Sequence, residues 1–330
     1  MTFLLCGLGL IGKQRLNSIL ESGLFEHLYV YDPFLKALPS EYDGRVTRLN
    51  EIPGPKHIQF THVVIATPHD VTLELIKKLK DHKPRILIEK PLGRNLAESE
   101  MIMELTKDCE LSIGFNYRFM VGIQKLNEIL SSHELGEINS IRLDLGHGGS
   151  PRDADSWKLN KESAGGGSLL DPGIHLIDLV LFLFGSNTDS VEIDGVNYWS
   201  GFWKTGIEES TMVLGKVEGV PFYLVSSIVA WRTRFSVEII GSDGYVIVNG
   251  RGRSDGPQTL TVGRRWGWQN AKSQIDSEKS EVIMMQDSSI TKETEAWLDG
   301  NSQVCFGEEG LESMKLYQKI LSKKSPNDLR

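Results

Sequence analysis

The sequence is poor in the features that would place it in a membrane, on a nucleic acid or in a disulfide-stapled scaffold. It has no run of ~18 apolar residues, so no membrane-spanning helix is expected. It lacks an excess of basic residues: 36 Lys and Arg stand against 44 Asp and Glu, a formal net charge of −8. An acidic surface repels phosphate backbones, so a nucleic-acid partner is not expected. Only three cysteines occur (Cys6, Cys109, Cys305). They are isolated, with no CxxC pair and no metal-like spacing, which suggests buried thiols in a reducing, cytoplasmic setting. The apolar start, MTFLLCGLGLIGK, lacks the basic flank and small-residue cleavage site of a signal peptide. Repeats and low-complexity segments are also missing.

What remains is ample. The chain has 330 residues, 40% hydrophobic and 24% charged. That is more than one core usually serves, so two domains are expected, with a boundary near residue 118. In 1–118, short apolar runs (FLLCGL at 3–8, HLYVY at 27–31, HVVIA at 62–66, RILI at 85–88, LSIGF at 111–115) alternate with helical stretches. That pattern predicts an α/β domain with a doubly wound parallel sheet. In 119–330 a helix over 121–130 precedes an alternating strand at 138–145. Further alternating strands lie at 190–198, 209–217, 221–230, 234–241 and 244–249, and helix returns over 290–321. These predict a large, open, mainly antiparallel sheet with helices. Residues 251–280, rich in Gly and Ser, read as a long loop.

Gly7-Leu8-Gly9-Leu10-Ile11-Gly12 is a G-x-G-x-x-G run between a predicted strand and a helix expected from about Lys13 to Ser22. Asp32 ends the next strand, 20 residues after Gly12, the spacing of a dinucleotide site. Gly7 suits the tight turn, Gly9 the close approach of a pyrophosphate, and Gly12 close helix–strand packing. The helix N-terminus, at Leu10 and Ile11, offers N–H groups to negative charge. Asp32 would accept both ribose hydroxyls and repel a 2′-phosphate, so NAD is favoured over NADP, with Lys36 nearby tempering the preference. Thr67-Pro68 and Glu89-Lys90-Pro91 end strands on the same edge, where ligands bind open α/β sheets. A lysine there could polarise a substrate oxygen, or simply be a surface lysine.

In GGGSLLDPGIHLIDLVLFLFG (165–185), Asp171, His175 and Asp178 fall on one face of a predicted helix, with Asp171 as N-cap and Pro172 at its first position. The residues alone leave three readings open: a cap with satisfied core polar groups, a metal site short of a further ligand beyond His147, or an acid–base pair. Imidazole accepts and returns protons near working pH.

GLGLIG, EKPLGRNLAES (89–99) and the 165–185 stretch together resemble the Gfo/Idh/MocA family of sugar and cyclitol oxidoreductases. GFNYRF at 114–119 and Trp157 ahead of the glycine run look like family features too. The resemblance implies a Rossmann domain followed by an open-sheet domain used for substrate binding and oligomerisation. It implies NAD(P)-dependent hydride transfer at a secondary alcohol or ketone of a sugar, nucleotide sugar or cyclitol. It further implies that Lys90, Asp171 and His175 converge beside the nicotinamide and that Lys90–Pro91 is a candidate cis bond. On that basis Lys90, Asp171 and His175 are the catalytic candidates, and Asn116, Arg118, Trp157, Asp171 and His175 the substrate-binding ones. The cofactor candidates are Gly7, Gly9, Leu10, Ile11, Gly12, Asp32, Thr67, Pro68, Glu89, Lys90 and Pro91. No metal is expected. Where the family often has a histidine shortly after Thr-Pro, this chain has Thr72, with His69 earlier, so no role is carried over. A homodimer or homotetramer formed through the open sheet is expected. GRRWGW at 263–268 sets Arg264 and Arg265 beside Trp266 and Trp268, suggesting a nucleotide-sugar clamp or a mere surface loop. The alternative function is a non-catalytic NAD-binding sensor of the same fold.

Overall fold

Apolar runs bounded by glycine and proline become strands buried on both faces. The computed structural model describes residues 1–149, 156–264 and 278–323. The elements up to residue 116 are β1 (Thr2–Cys6), α1 (Leu10–Ser22), β2 (His27–Tyr31), β3 (Thr47–Leu49), β4 (His62–Ile65), α2 (His69–Leu79), β5 (Arg85–Glu89), α3 (Leu96–Leu105) and β6 (Glu110–Gly114). Then come α4 (Val121–Ser131), β7 (Ile138–Gly146), the single turn α5 (Lys161–Ala164), α6 (Ile174–Phe184), β8 (Val191–Trp199), β9 (Ser210–Val217), β10 (Val220–Ser227), β11 (Arg234–Gly241), β12 (Gly244–Asn249), β13 (Gln258–Arg264) and β14 (Glu278–Met284). The last are α7 (Ser289–Asp299), β15 (Cys305–Phe306) and α8 (Gly307–Ser322).

Two compact units result. One is built from Met1–Asn116 with Glu162–Gly165 and Ile290–Met314. The other takes the intervening segments and the chain from Lys315. The chain first passes between the units after Asn116, and 290–314 folds with the N-terminal part. Its short β15 pairs antiparallel with β6, completing a seven-stranded sheet of order β15-β6-β5-β4-β1-β2-β3. All its other pairings are parallel. Strand order reverses at β1, whose neighbours are β2 and β4, and ligands bind such sheets at this switch point.

α1 starts at Leu10, earlier than the sequence suggests, and ends at Gly23, whose φ of 66° supplies the left-handed C-cap. Its glycine contacts are specific. A side chain on Gly12 would collide with the carbonyl oxygen of Gly7, while nothing lies within 4 Å of the equivalent position on Gly9. Gly12 is therefore demanded by packing and Gly9 leaves open space above the helix start.

The second unit carries an eight-stranded sheet, β14-β13-β12-β11-β7-β10-β9-β8, antiparallel except for β7 against β10. Its buried face presents Ile141, Leu143, Leu145, Leu224, Val237 and Val246, and α4 and α6 pack on this sheet. The long loop expected over 251–280 is corrected: Gln258–Arg264 is strand β13, paired with β12, and β14 begins at Glu278.

One consequence is a pH dependence. In the first unit His62 stacks on Phe3 (4.7 Å, 25°) and meets Trp297 edge-on (5.5 Å, 85°). Burial, then the nearby Arg85 guanidinium, push its pKa down to about 4. The unfolded chain binds a proton near the ordinary value, ~6.5, and the folded one only near 4, so stability is full above the higher value and is lost as pH falls through that window. Urea unfolding at pH steps should show this loss, and His62→Gln should flatten it.

Candidate functional site

In the first unit the expected cofactor residues lie at the ends of parallel strands and at the start of α1. Gly7 follows β1 with φ of 88°, Asp32 follows β2, Thr67 and Pro68 follow β4, and Lys90–Pro91 follows β5. The Lys90–Pro91 bond is cis, as the resemblance implies. α1 has Gly9 as its N-cap, with no side-chain cap among the described residues and no acidic residue in its first turn. The N–H groups of its first turn, starting at the exposed Leu10, are thus directed at the open space above Gly9. The Asp32 carboxylate accepts hydrogen bonds from Leu8 N (2.8 Å) and Phe34 N (2.9 Å), which ties the acid to the glycine turn. Thr67 Oγ1 is buried beside Gly7 with no hydrogen-bond partner among the described residues, a polar atom that a bound ligand group can satisfy. This arrangement fits a dinucleotide: an uncapped helix start for the pyrophosphate, an acid for the ribose and an open approach over Gly9.

Glu89, the residue before Lys90, is firmly held. Its carboxylate accepts from Arg15 Nε at 2.8 Å, and Arg15 is fully buried in α1. Arg15 also bonds Glu293 of α7, Thr294 Oγ1 (3.0 Å) and the Ile290 carbonyl (3.2 Å). The coulombic pull of both glutamates raises the Arg15 pKa against burial, its largest single influence, so the guanidinium stays charged.

In the second unit the 165–185 stretch behaves differently from expectation. α6 starts at Ile174 with Gly173 as its N-cap, and Asp171–Pro172 is a second cis bond. Asp171 therefore lies outside the helix. The glycine run also serves the protein's own backbone. Gly167 N donates to Glu208 Oε1 (2.9 Å), and a side chain on Gly167 would collide with the Glu208 carbonyl oxygen. Asp171 instead pairs with Lys158 Nζ at 2.9 Å. Both line a cavity of about 40 Å³ with His147 and Trp203, over an apolar floor of Leu159, Ile207 and Ile228.

His175 lies in the first turn of α6, 5% exposed. Its imidazole is stacked flat on Tyr117, with ring centres 3.9 Å apart and planes within 5°. Tyr117 is held in turn: its hydroxyl accepts from Arg251 Nη1 at 2.7 Å, and Arg251 Nε donates to Asp255 (2.7 Å). Burial pushes the Tyr117 hydroxyl up in pKa, with Arg251 opposing, so it stays protonated. Sequence reasoning chose Asn116 and Arg118 and passed over Tyr117 between them; an aromatic flanked by two polar candidates was the available signal.

Asp178 has a settled place. It receives two hydrogen bonds from Arg118 Nε (2.9 and 3.2 Å) and one from Nη2 (2.6 Å), with both side chains at most 3% exposed. The Arg118 guanidinium also lies 4.9 Å from the Phe182 ring. This ion pair ties Arg118 to the buried side of α6. Asn116 is buried, at 6% exposure, and Trp157 is half-buried with Lys158 Nζ 5.8 Å from its ring. Of the GRRWGW cluster, Arg264 pairs with Glu134 (2.6 Å), and Arg265, Trp266 and Trp268 lie outside the described residues. Among the described residues no group of three His, Cys, Asp or Glu side chains is placed to hold a metal ion.

Residues 1–117 match the description "Oxidoreductase family, NAD-binding Rossmann fold", and residues 123–247 match "GFO/IDH/MocA C-terminal domain". A trans-1,2-dihydrobenzene-1,2-diol dehydrogenase from Danio rerio is 28% identical over 217 residues, 64% of this chain and 60% of that protein. A myo-inositol 2-dehydrogenase from Thermotoga maritima is 28% identical over 201 residues, 57% of this chain and 58% of that protein. The matches thus span less than two thirds of these relatives. Among solved structures, a levoglucosan dehydrogenase in complex with NADH and levoglucosan superposes with a TM-score of 0.75 at 18% identity, covering 98% of this chain and 96% of its own. An aldose-aldose oxidoreductase from Caulobacter crescentus gives 0.75 at 17% identity, covering 98% and 97%. With both of its units matched, the first as an NAD-binding Rossmann domain, the chain belongs to the Gfo/Idh/MocA oxidoreductase family.

Proposed function

We propose that the protein is an NAD-dependent dehydrogenase that oxidises a secondary alcohol of a sugar or cyclitol, or reduces the corresponding ketone. The observation that carries this reading is the acid–base imidazole of His175, braced flat on Tyr117 at the start of a helix otherwise made of Ile, Leu, Val and Phe. Gly7, Gly9, Gly12, Asp32 and Thr67 would hold NAD, which supplies the hydride acceptor when bound. His175 takes the hydroxyl proton as the carbonyl forms and returns it in the reverse direction. Lys90, steadied through Glu89 and Arg15, donates to the same oxygen and stabilises the negative charge growing on it. Asp171, paired with Lys158, accepts a neighbouring substrate hydroxyl. The relatives named for inositol and levoglucosan support this substrate class. Nicotinamide absorbance with a panel of polyols and sugars tests the reading; a protein that binds NADH but reduces no NAD with any of them would overturn it.

NAD is favoured because the Asp32 carboxylate repels a 2′-phosphate. Asp32→Ser should shift the ratio of NADPH to NADH affinity by about tenfold or more toward NADPH, read by nicotinamide fluorescence titration. The protein acts in the reducing cytoplasm, without a nucleic-acid partner, as a homo-oligomer. Met212, Leu214 and Tyr223, on one face of β9 and β10, are 54%, 57% and 40% exposed and offer the surface for a second copy.

A further inference from the structure

Two exposed aromatic side chains of the second unit are unused by the mechanism. Phe202 is 46% exposed and Trp231 70%. Their rings meet edge to face (4.8 Å, 84°), and Phe202 meets Trp203 in the same way (4.9 Å, 89°). Trp203 lines the cavity that holds Asp171. Large exposed apolar rings in contiguous groups mark binding sites on soluble proteins.

The group is fixed to the cavity wall from both sides. Glu209, fully buried, accepts hydrogen bonds from three consecutive backbone N–H groups: Gly201 (3.2 Å), Phe202 (2.8 Å) and Trp203 (2.6 Å). On the other side Ala230 N donates to the carbonyl of His147 (3.1 Å), a cavity residue. The next residue, Trp231, takes φ of 54°, a left-handed conformation that bulky residues rarely adopt. Such backbone persists where the surroundings hold it. The loops are thus preorganised to present aromatic surface beside the cavity.

The cavity itself argues for what binds there. It is small, about 40 Å³. Its charges, Lys158 and Asp171, face each other as a pair, and its floor is apolar. A second, neutral ring continuing outward from the cavity would meet Phe202 and Trp231. The apolar C–H faces of a sugar, or an aryl group, pack on such rings.

We propose that Phe202, Trp203 and Trp231 form an aromatic subsite for a second ring, so that the substrate is a neutral glycoside, with its oxidised sugar at Asp171 and its second sugar or aryl ring on the aromatics. The inference rests on the dehydrogenase reading above and narrows its substrate class.

The test is calorimetric titration of the NADH-loaded protein. The one-ring probes are glucose and galactose; the two-ring probes are cellobiose, maltose, lactose and phenyl β-glucoside; UDP-glucose is the charged comparison. At least one two-ring probe should bind about tenfold more tightly than its monosaccharide. Trp231→Ala and Phe202→Ala should each lower that ratio several-fold. No gain for any two-ring probe overturns the subsite. So does a gain that survives both substitutions, or a larger gain for UDP-glucose than for every neutral two-ring probe. So, too, does an unchanged ratio accompanied by a loss of self-association in Trp231→Ala, which would assign the aromatics to a second copy of the chain. Binding is read without turnover, so the two ideas fail separately: a gain in affinity with no reduction of NAD by the same probes overturns the dehydrogenase and leaves the subsite standing.

Discussion

His175→Ala is expected to lower kcat by about 10²–10⁴, the range over which positioned acid–base groups act, while leaving NADH affinity within twofold or so of wild type. The two halves of this expectation have separate physical origins. The residues that would hold the nucleotide are Gly7, Gly9, Gly12, Asp32 and Thr67, at strand ends and the start of α1 in the first unit, whereas His175 belongs to the second. The imidazole has its own support: one face lies on Tyr117, and only 5% of the residue is exposed. Ring stacking leaves the ring edge, with its nitrogens, as the part that can exchange a proton. Tyr117→Phe keeps the stack and removes only the hydroxyl that Arg251 holds, so kcat should fall by less than about threefold. Tyr117→Leu removes the flat partner, so kcat should fall much further with little change in KM, because orientation rather than binding is lost. Steady-state kinetics of the three variants with any active sugar decide the matter. Wild-type turnover in His175→Ala would remove the catalytic assignment altogether.

The nucleotide-binding half of this picture was legible in the sequence because local rules govern it. Strands β1, β4 and β5 are buried on both faces and so read as continuous apolar runs, FLLC, HVVI and RIL. The glycines and Asp32 keep fixed spacing because one tight turn and one strand set it. Other features answer to distant parts of the chain and left weaker marks. β3 and β15 have three and two residues, too few to show a period. β13 alternates only within QTLTVGR, inside a segment whose glycines and serines read as loop. Asp171-Pro172 has the composition of a helix start, but the chain turns first and the helix begins at Ile174. Tyr117 and Arg251 are 134 residues apart, so nothing local announces that one braces the other. Arg15 did leave a trace: it lies three residues after Gly12 and four before Ile19, on the buried stripe of α1. A charge on that stripe requires a partner. The partners lie 74 and 278 residues away.

That buried arginine gives the largest expected effect on stability. Arg15→Met should destabilise the protein by about 3–5 kcal/mol in urea unfolding, the range found when one member of a buried ion pair is removed. Methionine fills most of the volume, so the loss is electrostatic rather than a cavity. Arg15 serves both Glu89 and Glu293, and without it two carboxylates face each other across the space it occupied. Their exposures differ: the Glu89 side chain is 15% exposed and can recruit water, whereas Glu293 is fully buried. The stranded charge on Glu293 should therefore carry most of the penalty. Arg15→Met/Glu293→Leu should regain more than half of the lost stability, since an apolar replacement of a buried pair is often neutral or better. A double variant no more stable than Arg15→Met would show that packing, not charge, is at stake. The same double variant separates stability from function. It restores the fold while leaving Glu89 without its guanidinium, so Lys90 should be less well aimed and kcat should stay low even where stability has returned. Recovery of both together would mean that Arg15 holds the sheet against α7 and has no part in placing Lys90.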